Sequence, residues 1–133
     1  MAKVRITEDG RNLMLNRMYL ETPDSSAPAV FAIGTDTTEP TINDTALGTI
    51  IQGWSGSSDF KVFVSGYPIL NTTKKEVTIR GFVSTTEANG SSIAETGNFN
   101  TDGTRVMDTR NTFTAVSKDS NKQIAFIWKH RII

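Results

Sequence analysis

The C-terminal end of the chain alternates its side chains with a period of two, and this pattern constrains the fold more than any other feature. In KQIAFIWKHRII, residues 122–133, one face carries Ile124, Phe126, Trp128, His130 and Ile132. The other face starts apolar and ends charged, at Lys129 and Arg131. Successive side chains of a β-strand point to opposite faces, so this segment is predicted to be a half-buried strand.

Further strands are predicted upstream. DFKVFVSGYPIL and KKEVTIRGFVS flank a predicted turn at 70–73, and Asn-Gly in 87–92 and Asp-Gly in 100–103 supply the positive φ of two more turns. Between those turns lies another predicted strand, and RVMDTRNTFTAVSK follows them. Short strands separated by polar turns predict a mainly β fold, an antiparallel β-sandwich or jelly roll.

One short helix is predicted near the N-terminus. After Asp9-Gly10, the stretch RNLMLNRMYLE has a helix-like period that Pro23 ends, with Leu13, Met14, Arg17, Met18 and Leu20 on the repeat. We expect a single domain, 1–133, in which 1–27 form an N-terminal strand and helix, a candidate inter-subunit arm, and 28–133 form the sandwich. The two methionines suit either the domain's own core or contact with a neighbour.

Charge and composition exclude several functions. Lys+Arg and Asp+Glu both number 14, so no net field favours nucleic acid or an anionic membrane. Acidic residues dominate 22–60 and basic residues dominate 118–133, a polarity that suits either head-to-tail contacts or solvated loops. Without cysteine there is no disulfide, thiolate zinc site or cysteine nucleophile. No signal peptide or membrane span is predicted, so we expect synthesis in the cytoplasm.

Two candidate sites have simpler explanations. Asn98-Phe-Asn-Thr-Asp-Gly resembles the start of a calcium loop, but Thr109 stands where the bidentate glutamate is needed, so a plain hairpin turn is favoured. His130 is the only histidine, and no nucleophile elbow accompanies it, which favours a half-exposed strand histidine. We therefore predict no required metal and no cofactor.

Paired carboxylates of a glycoside hydrolase are the remaining enzymatic alternative. The available carboxylates are Glu76, Glu87, Glu95 and Asp108. Only Trp54 and Trp128 are available as sugar platforms, and no cluster of aromatic residues surrounds an acid pair. The chain is predicted not to be an enzyme.

Glu95 stands in an apolar context, after Ile93 and Ala94 and before Phe99. A carboxylate buried alone there would be costly, and Arg110 is expected one strand away across the 98–103 turn. A guanidinium fork makes such a buried carboxylate tolerable, so we predict a Glu95–Arg110 pair. Its expected role is to specify the register of this hairpin.

Two segments resemble small virion proteins of tailed bacteriophages. AIGTDTTEPTINDTALGTII is similar to their "GTGT…P…DTALG" segment, which follows a short helix of "G-[KR]-N" type, here Gly10, Arg11 and Asn12. In their C-terminal half, a Glu-x-Gly-x-Phe turn precedes an Arg-x-x-Phe strand, a lysine and a closing strand with tryptophan. The matching positions are Glu95, Gly97, Phe99, Arg110, Phe113, Lys118 and Trp128. The family often has leucine where this chain has Asn98, which implies looser packing here.

The resemblance implies a jelly-roll-like, usually trimeric β-sandwich without catalysis. Such proteins are capsid decoration (cement) proteins or adaptors of tail fibres, collars or baseplates; because no fibre shaft follows the closing strand, the cement type is favoured. The expected partners are further copies of the chain and the major capsid protein, and the expected location is the virion surface. Candidate interface residues are Met14, Met18, Leu20, Lys129 and Arg131. A carbohydrate-binding module is the third alternative.

Overall fold

The computed structural model describes residues 3–132, of which Lys3 and Val4 are described by their backbone alone. This part of the chain forms one helix and eight strands, and it is mainly β as expected. In chain order the elements are β1 (Lys3–Ile6), α1 (Glu8–Tyr19), β2 (Val30–Gly34), β3 (Lys61–Val62), β4 (Ile69–Asn71), β5 (Glu76–Val83), β6 (Ser92–Phe99), β7 (Met107–Ser117) and β8 (Ile124–Arg131).

The strands form two antiparallel sheets. Five strands lie in the order β1-β7-β6-β2-β3 and three in the order β4-β5-β8. The predicted domain bounds, residues 1 and 133, lie outside the described residues. Strand β1 pairs with β7 of its own chain, in a register that runs from Lys3 opposite Thr112 to Ile6 opposite Thr109. The N-terminal segment is thus part of the larger sheet, and its use as an arm between subunits stays a prediction.

The main core lies between the two sheets. Phe31 is fully buried there, with its ring centroid 5.3 Å from that of Trp54 and 5.5 Å from that of Trp128. Trp128 lies on the strand face predicted from the C-terminal alternation. The other buried members of this cluster are Ile33, Phe63, Ile79, Val83 and Ile93.

A second, smaller core lies on the opposite face of the five-stranded sheet. Along β2, Phe31 and Ile33 belong to the main core, whereas Val30 and Ala32 alternate with them and join the second one. This face is covered by irregular chain between β2 and β3, which contributes Leu47, Ile50 and Phe60. Because both of its faces are covered, β2 is buried throughout.

The region 59–70 differs from the prediction of one continuous strand. It holds two short strands that belong to different sheets, β3 and β4. Gly66 between them has φ of 89°, and Pro68 lacks the N–H that a ladder needs. The turn after β4 also falls later than predicted, because Ile69–Asn71 pairs with the first residues of β5.

Helix α1 begins at Glu8, three residues before the predicted stretch that starts at Arg11, and ends before Leu20. Thr7 caps it, since its Oγ1 accepts a hydrogen bond of 2.9 Å from the Gly10 N–H. Leu13 is buried, but Met14 is 45% exposed and Met18 is 67% exposed. The two methionines therefore do not fill the core of this domain.

Candidate functional site

The Glu95 carboxylate is fully buried and receives four hydrogen bonds. Its Oε1 accepts from Arg110 Nε at 3.0 Å and from the Gly48 N–H at 2.9 Å. Its Oε2 accepts from the N–H groups of Asp36 and Thr49, at 3.0 and 2.8 Å. The predicted pairing of Glu95 with Arg110 is confirmed, and three backbone donors of the 36–49 segment complete the set.

Arg110 extends this group into what we call the arginine cluster, formed by Asp36, Asp44, Glu95 and Arg110. Its Nη1 lies 2.9 Å from Asp44 Oδ2, and its Nη2 lies 3.2 Å from Asp36 Oδ2. A hydrogen bond from the Thr38 N–H lowers the pKa of Asp36, and the charge of Arg110 lowers it further. Burial opposes ionisation of Asp44, but hydrogen bonds from Thr41 and Arg110 leave its pKa below the usual value.

Hydrogen bonds and ion pairs of the arginine cluster hold residues 36–49 against the five-stranded sheet. We call residues 36–49 the covering segment, because they belong to the irregular chain that covers the second core. Glu95 and Arg110 lie on neighbouring strands, and Gly97 pairs with Arg110 in the register. All their other partners come from residues 36–49. The predicted role in hairpin register is therefore incomplete, because most of these hydrogen bonds lead to a loop that covers the second core.

Two glycines make room for this packing. A Cβ on Gly34 would lie 2.4 Å from Glu95 Oε2, and a Cβ on Gly97 would lie 2.9 Å from Leu47 Cδ2. Contacts this short do not occur for real Cβ atoms, so a larger residue would require the loop backbone at Thr49 to shift at Gly34, and the side chains of Leu47 and Phe99 to shift at Gly97. The glycine of the Glu-x-Gly-x-Phe pattern thus lets the covering segment approach β6.

The other residues of the resemblance are also engaged in the fold. Phe99 belongs to the second core, and Phe113 packs against the main core. Lys118 is buried, and its Nζ donates to Asn89 Oδ1 at 2.7 Å and to the Asp119 carbonyl at 2.9 Å. Trp128 Nε1 donates to Thr96 Oγ1 at 3.3 Å. The seven residues of the resemblance therefore do not form one site. They make separate contacts in the two cores, in the arginine cluster and in the turn that Lys118 joins.

The sequence did not indicate that Asp36 and Asp44 pair with Arg110. Asp44 accepts hydrogen bonds from the Thr41 N–H and from Arg110. Both aspartates lie in the 22–60 acidic stretch. Their pairing with Arg110 within one chain removes them from the charges that would serve head-to-tail contacts.

The alternative sites can now be placed. In the 98–103 turn, Asp102 accepts from Ser26 and Asn100 rather than facing an open ligand position. Among residues 3–132, no group of three or more histidine, cysteine, aspartate or glutamate side chains is arranged to hold a metal ion. Trp54 and Trp128 are both buried in the main core, so neither offers a sugar platform.

The carboxylates weighed for glycoside hydrolysis are mostly paired. Glu76 Oε2 lies 2.9 Å from Arg131 Nη2, and Glu87 Oε1 lies 2.6 Å from Lys61 Nζ. Glu95 is held by Arg110. Asp108 differs from them, because its side chain makes no hydrogen bond to the residues that the structure describes.

Asp108 lies at a bulge in β7 and lines a cavity of about 400 Å³. Phe99 pairs with Met107 and Asn98 pairs with Thr109, so Asp108 is the extra residue between them. His130 Nδ1 lies 3.7 Å from Asp108 Oδ2, beyond hydrogen-bonding distance. Burial raises the pKa of Asp108 to about 6 and lowers the pKa of His130.

The candidate interface residues are exposed. Met14, Met18 and Leu20 lie on or just after α1, and their neighbours Leu15 and Tyr19 are exposed too. We call these five residues the α1 surface. Lys129 and Arg131 are exposed on β8, with Arg131 paired to Glu76.

Comparisons with known proteins identify no relative. No family model matches the chain, and neither a curated protein nor a solved structure matches it. In residues 3–132, the one helix, α1, is too short and too polar to cross a membrane.

Proposed function

We propose that this chain is a non-enzymatic structural protein of a tailed-bacteriophage virion. Its most specific form is a homotrimeric capsid decoration protein that binds the outer capsid surface and stabilises the DNA-filled head. A cement protein needs many modest contacts with neighbouring subunits, made strong together by multivalency, and it needs no catalytic group.

The α1 surface is the observation that carries this proposal. Met18 is 67% exposed and Tyr19 is 73% exposed, next to Met14, Leu15 and Leu20. Contiguous apolar residues on the surface of a small domain mark contact sites for other proteins. Methionine adapts to irregular partners and tyrosine contributes a large contact area, so the composition suits a protein interface.

The jelly-roll-like form of the sandwich is part of the same proposal. Eight strands in two antiparallel sheets are the number that a jelly roll uses. The pairings of β1 with β7 and of β5 with β8 join strands far apart in sequence, as Greek-key connections do.

Association is expected to depend on apolar contact more than on charge. Apolar burial is insensitive to salt, whereas exposed ion pairs are screened at about 0.5 M, where the Debye length is near 4 Å. Sedimentation of the isolated chain should therefore show a trimer at low salt and at about 0.5 M salt. Added to expanded empty capsids of its phage, the chain should bind stoichiometrically.

A pair of matched variants tests the α1 surface. Met18→Ser with Tyr19→Ser should weaken trimer formation or capsid binding, while Val62→Ser, at an exposed position of β3, should leave both unchanged. A chain that is monomeric at all concentrations and fails to bind capsids, yet co-purifies with tails, would instead be a tail-fibre, collar or baseplate adaptor. Specific binding to glycans by the isolated chain would favour the carbohydrate-binding alternative.

A further inference from the structure

The cavity beside Asp108 has mostly apolar walls, and Asp108 is its one acidic lining residue among those that the structure describes. Its volume of about 400 Å³ lies within the range of small-ligand sites, roughly 300–1,000 Å³. Apolar wall residues come from β1, α1, β4 and β5 and from the chain just before β2 and just after β8, among them Ile6, Met14, Pro28, Leu70, Val77 and Ile132. A few polar groups converging in an apolar pocket are the usual features of a binding site.

Asp108 is the acidic group of the wall, and it makes no hydrogen bond to a described side chain; His130 Nε2, in the same wall, is also buried without a partner among the described residues. The residue is only 5% exposed, and no donor among the described side chains lies within hydrogen-bonding distance of its carboxylate. An ionised carboxylate in such surroundings is costly until a donor reaches it. The bulge that places Asp108 here is a feature that commonly redirects a side chain beside a functional site.

We propose that this cavity binds an alkylammonium group, with the ammonium donating to the Asp108 carboxylate and the alkyl stem packed against Met14, Leu70 and Val77. An ammonium supplies three donors and a positive charge, so it satisfies the carboxylate more fully than a hydroxyl does. A carboxylate ligand would bring like charges together. The group is carried by a free amine or by a lysine side chain of a partner protein.

The other charged groups that line the cavity act against this ligand or are neutral towards it. Arg131 is paired with Glu76, and His130 is held towards its neutral form by burial. Lys75 is exposed and forms no ion pair with a described residue that lines the cavity, so its ammonium repels a cationic ligand. Removing the charge of Lys75 should therefore tighten binding, an effect opposite in sign to that of removing Asp108.

The proposal does not depend on the chain being a capsid protein. It is tested by NMR titration of the full chain with n-butylamine hydrochloride, n-butanol and butyrate, monitored at the methyl groups of Met14, Leu70 and Val77. We expect saturable shifts with butylamine, roughly tenfold weaker binding of butanol, and none of butyrate. Equal affinity for butylamine and butanol would show a merely apolar cavity and overturn the proposal.

Variants assign the binding to Asp108. Asp108→Asn should weaken butylamine binding roughly tenfold or more and leave butanol binding unchanged, whereas Asp119→Asn, at an exposed carboxylate, should have no effect. Lys75→Asn should strengthen butylamine binding; Lys75 has φ of 56°, which asparagine tolerates. If Asp108→Asn binds butylamine as tightly as the wild type does, the proposed contact is wrong. It is also wrong if Lys75→Asn does not bind butylamine more tightly than the wild type.

Two further measurements complete the test. Because the pKa of Asp108 is about 6, lowering the pH from about 7.5 to about 5 should weaken butylamine binding roughly tenfold, and protonation of His130 acts in the same direction. A pH-independent affinity would contradict the proposal. Nα-acetyl-lysine amide distinguishes the two sources: affinity equal to that of butylamine indicates a partner's lysine, and binding of butylamine alone indicates a free amine.

Discussion

Two buried carboxylates on neighbouring strands of one sheet have opposite surroundings. Glu95 on β6 is fully buried and accepts four hydrogen bonds, one of them from a guanidinium. Asp108 on β7 is nearly as buried, but its nearest cation-forming group is His130, at 3.7 Å. Burial alone therefore does not decide what a carboxylate does. The donors around it decide whether the group holds the fold together or is left available to a ligand.

The largest effects should come from breaking the arginine cluster. Glu95→Gln leaves Arg110 without its most buried partner, and Arg110→Met leaves Glu95, Asp36 and Asp44 without their shared cation. Removing one member of a buried pair costs roughly 3–5 kcal/mol, so each variant should be strongly destabilised in urea melts. The double variant should be much less destabilised than the sum of the two.

Exposed ion pairs provide the control for that prediction. Glu8 and Arg11 form a 3.0 Å pair on the surface of α1, with about half of each side chain exposed. Glu8→Gln should therefore change the free energy of unfolding by no more than about 0.5 kcal/mol. If Glu95→Gln is equally silent, the Glu95 carboxylate is not buried in solution and the comparison fails.

Replacing the Asp108 carboxylate by an amide is expected to stabilise the protein near neutral pH, whereas replacing that of Glu95 destabilises it. The pKa of Asp108 is about 6 in the folded chain and about 3.8 when unfolded, so the native state binds the proton more tightly. Wild-type stability attributable to this group is thus lost as the pH rises through about 4 to 6, up to roughly 3 kcal/mol. Asp108→Asn should match the wild type near pH 4 and be more stable near pH 7.5, by up to that amount.

His130 has to be separated from this effect. Burial lowers its pKa below 6.5, so its contribution to stability is lost as the pH falls through the unfolded value, in the direction opposite to that of Asp108. Because both proteins in the comparison contain His130, the difference between their thermal melts at each pH largely removes its contribution. A difference between wild type and Asp108→Asn that does not grow with pH would show that Asp108 has a donor in solution.

Asn98 is an uncharged polar side chain that is buried without a partner, and its replacement by an apolar residue should stabilise the protein by a smaller amount. Its side chain is fully buried beside Thr109, and neither its Nδ2 nor its Oδ1 has a hydrogen-bond partner among the described residues. Leucine has the same branching at Cγ but carries no polar atom there. Asn98→Leu should raise the free energy of unfolding by roughly 1–2 kcal/mol, measured by urea denaturation.

The Asn98→Ala variant is the control for Asn98→Leu. Asn98→Ala removes the same polar atoms but leaves a cavity, so it should gain less than leucine or lose stability. If leucine destabilises, an internal partner satisfies the amide or the site is too tight for a methyl group. The expectation of looser packing at this turn would then need to be replaced by one of tight polar packing.

The parts of the fold that were predictable depend on local pattern. Strands β5 and β8 and the Asn-Gly turn at 87–92 are readable within ten residues, and the structure has them, with Gly90 at a φ of 86°. The prediction of positive φ for Asp-Gly in 100–103 was wrong, because neither Asp102 nor Gly103 has a positive φ. The Glu95–Arg110 pair was also accessible, because the two residues flank a short predicted turn and a buried carboxylate requires a cation.

The missed features depend on contacts between distant parts of the chain. Asp36 and Asp44 reach Arg110 across 74 and 66 residues, through a segment with no regular hydrogen-bond ladder. No sequence period reports such a contact. The Asp108 bulge is likewise invisible in sequence, because one extra residue shifts the pairing without changing the local composition.

The smallest expected effect is that of a chelator, and it tests what holds the acidic cluster together. Asp36, Asp44 and Glu95 each contact a different nitrogen of the Arg110 guanidinium, so the cation that these carboxylates share is Arg110. Its fork already provides the positive charge and directional donors that three carboxylates need. Thermal melts with and without EDTA should therefore superimpose, with the Arg110→Met variant measured in parallel. A fall of several degrees in the wild-type melt on chelation would mean that a metal ion shares the cluster with Arg110, and the contrast with Asp108 would then rest on a metal site.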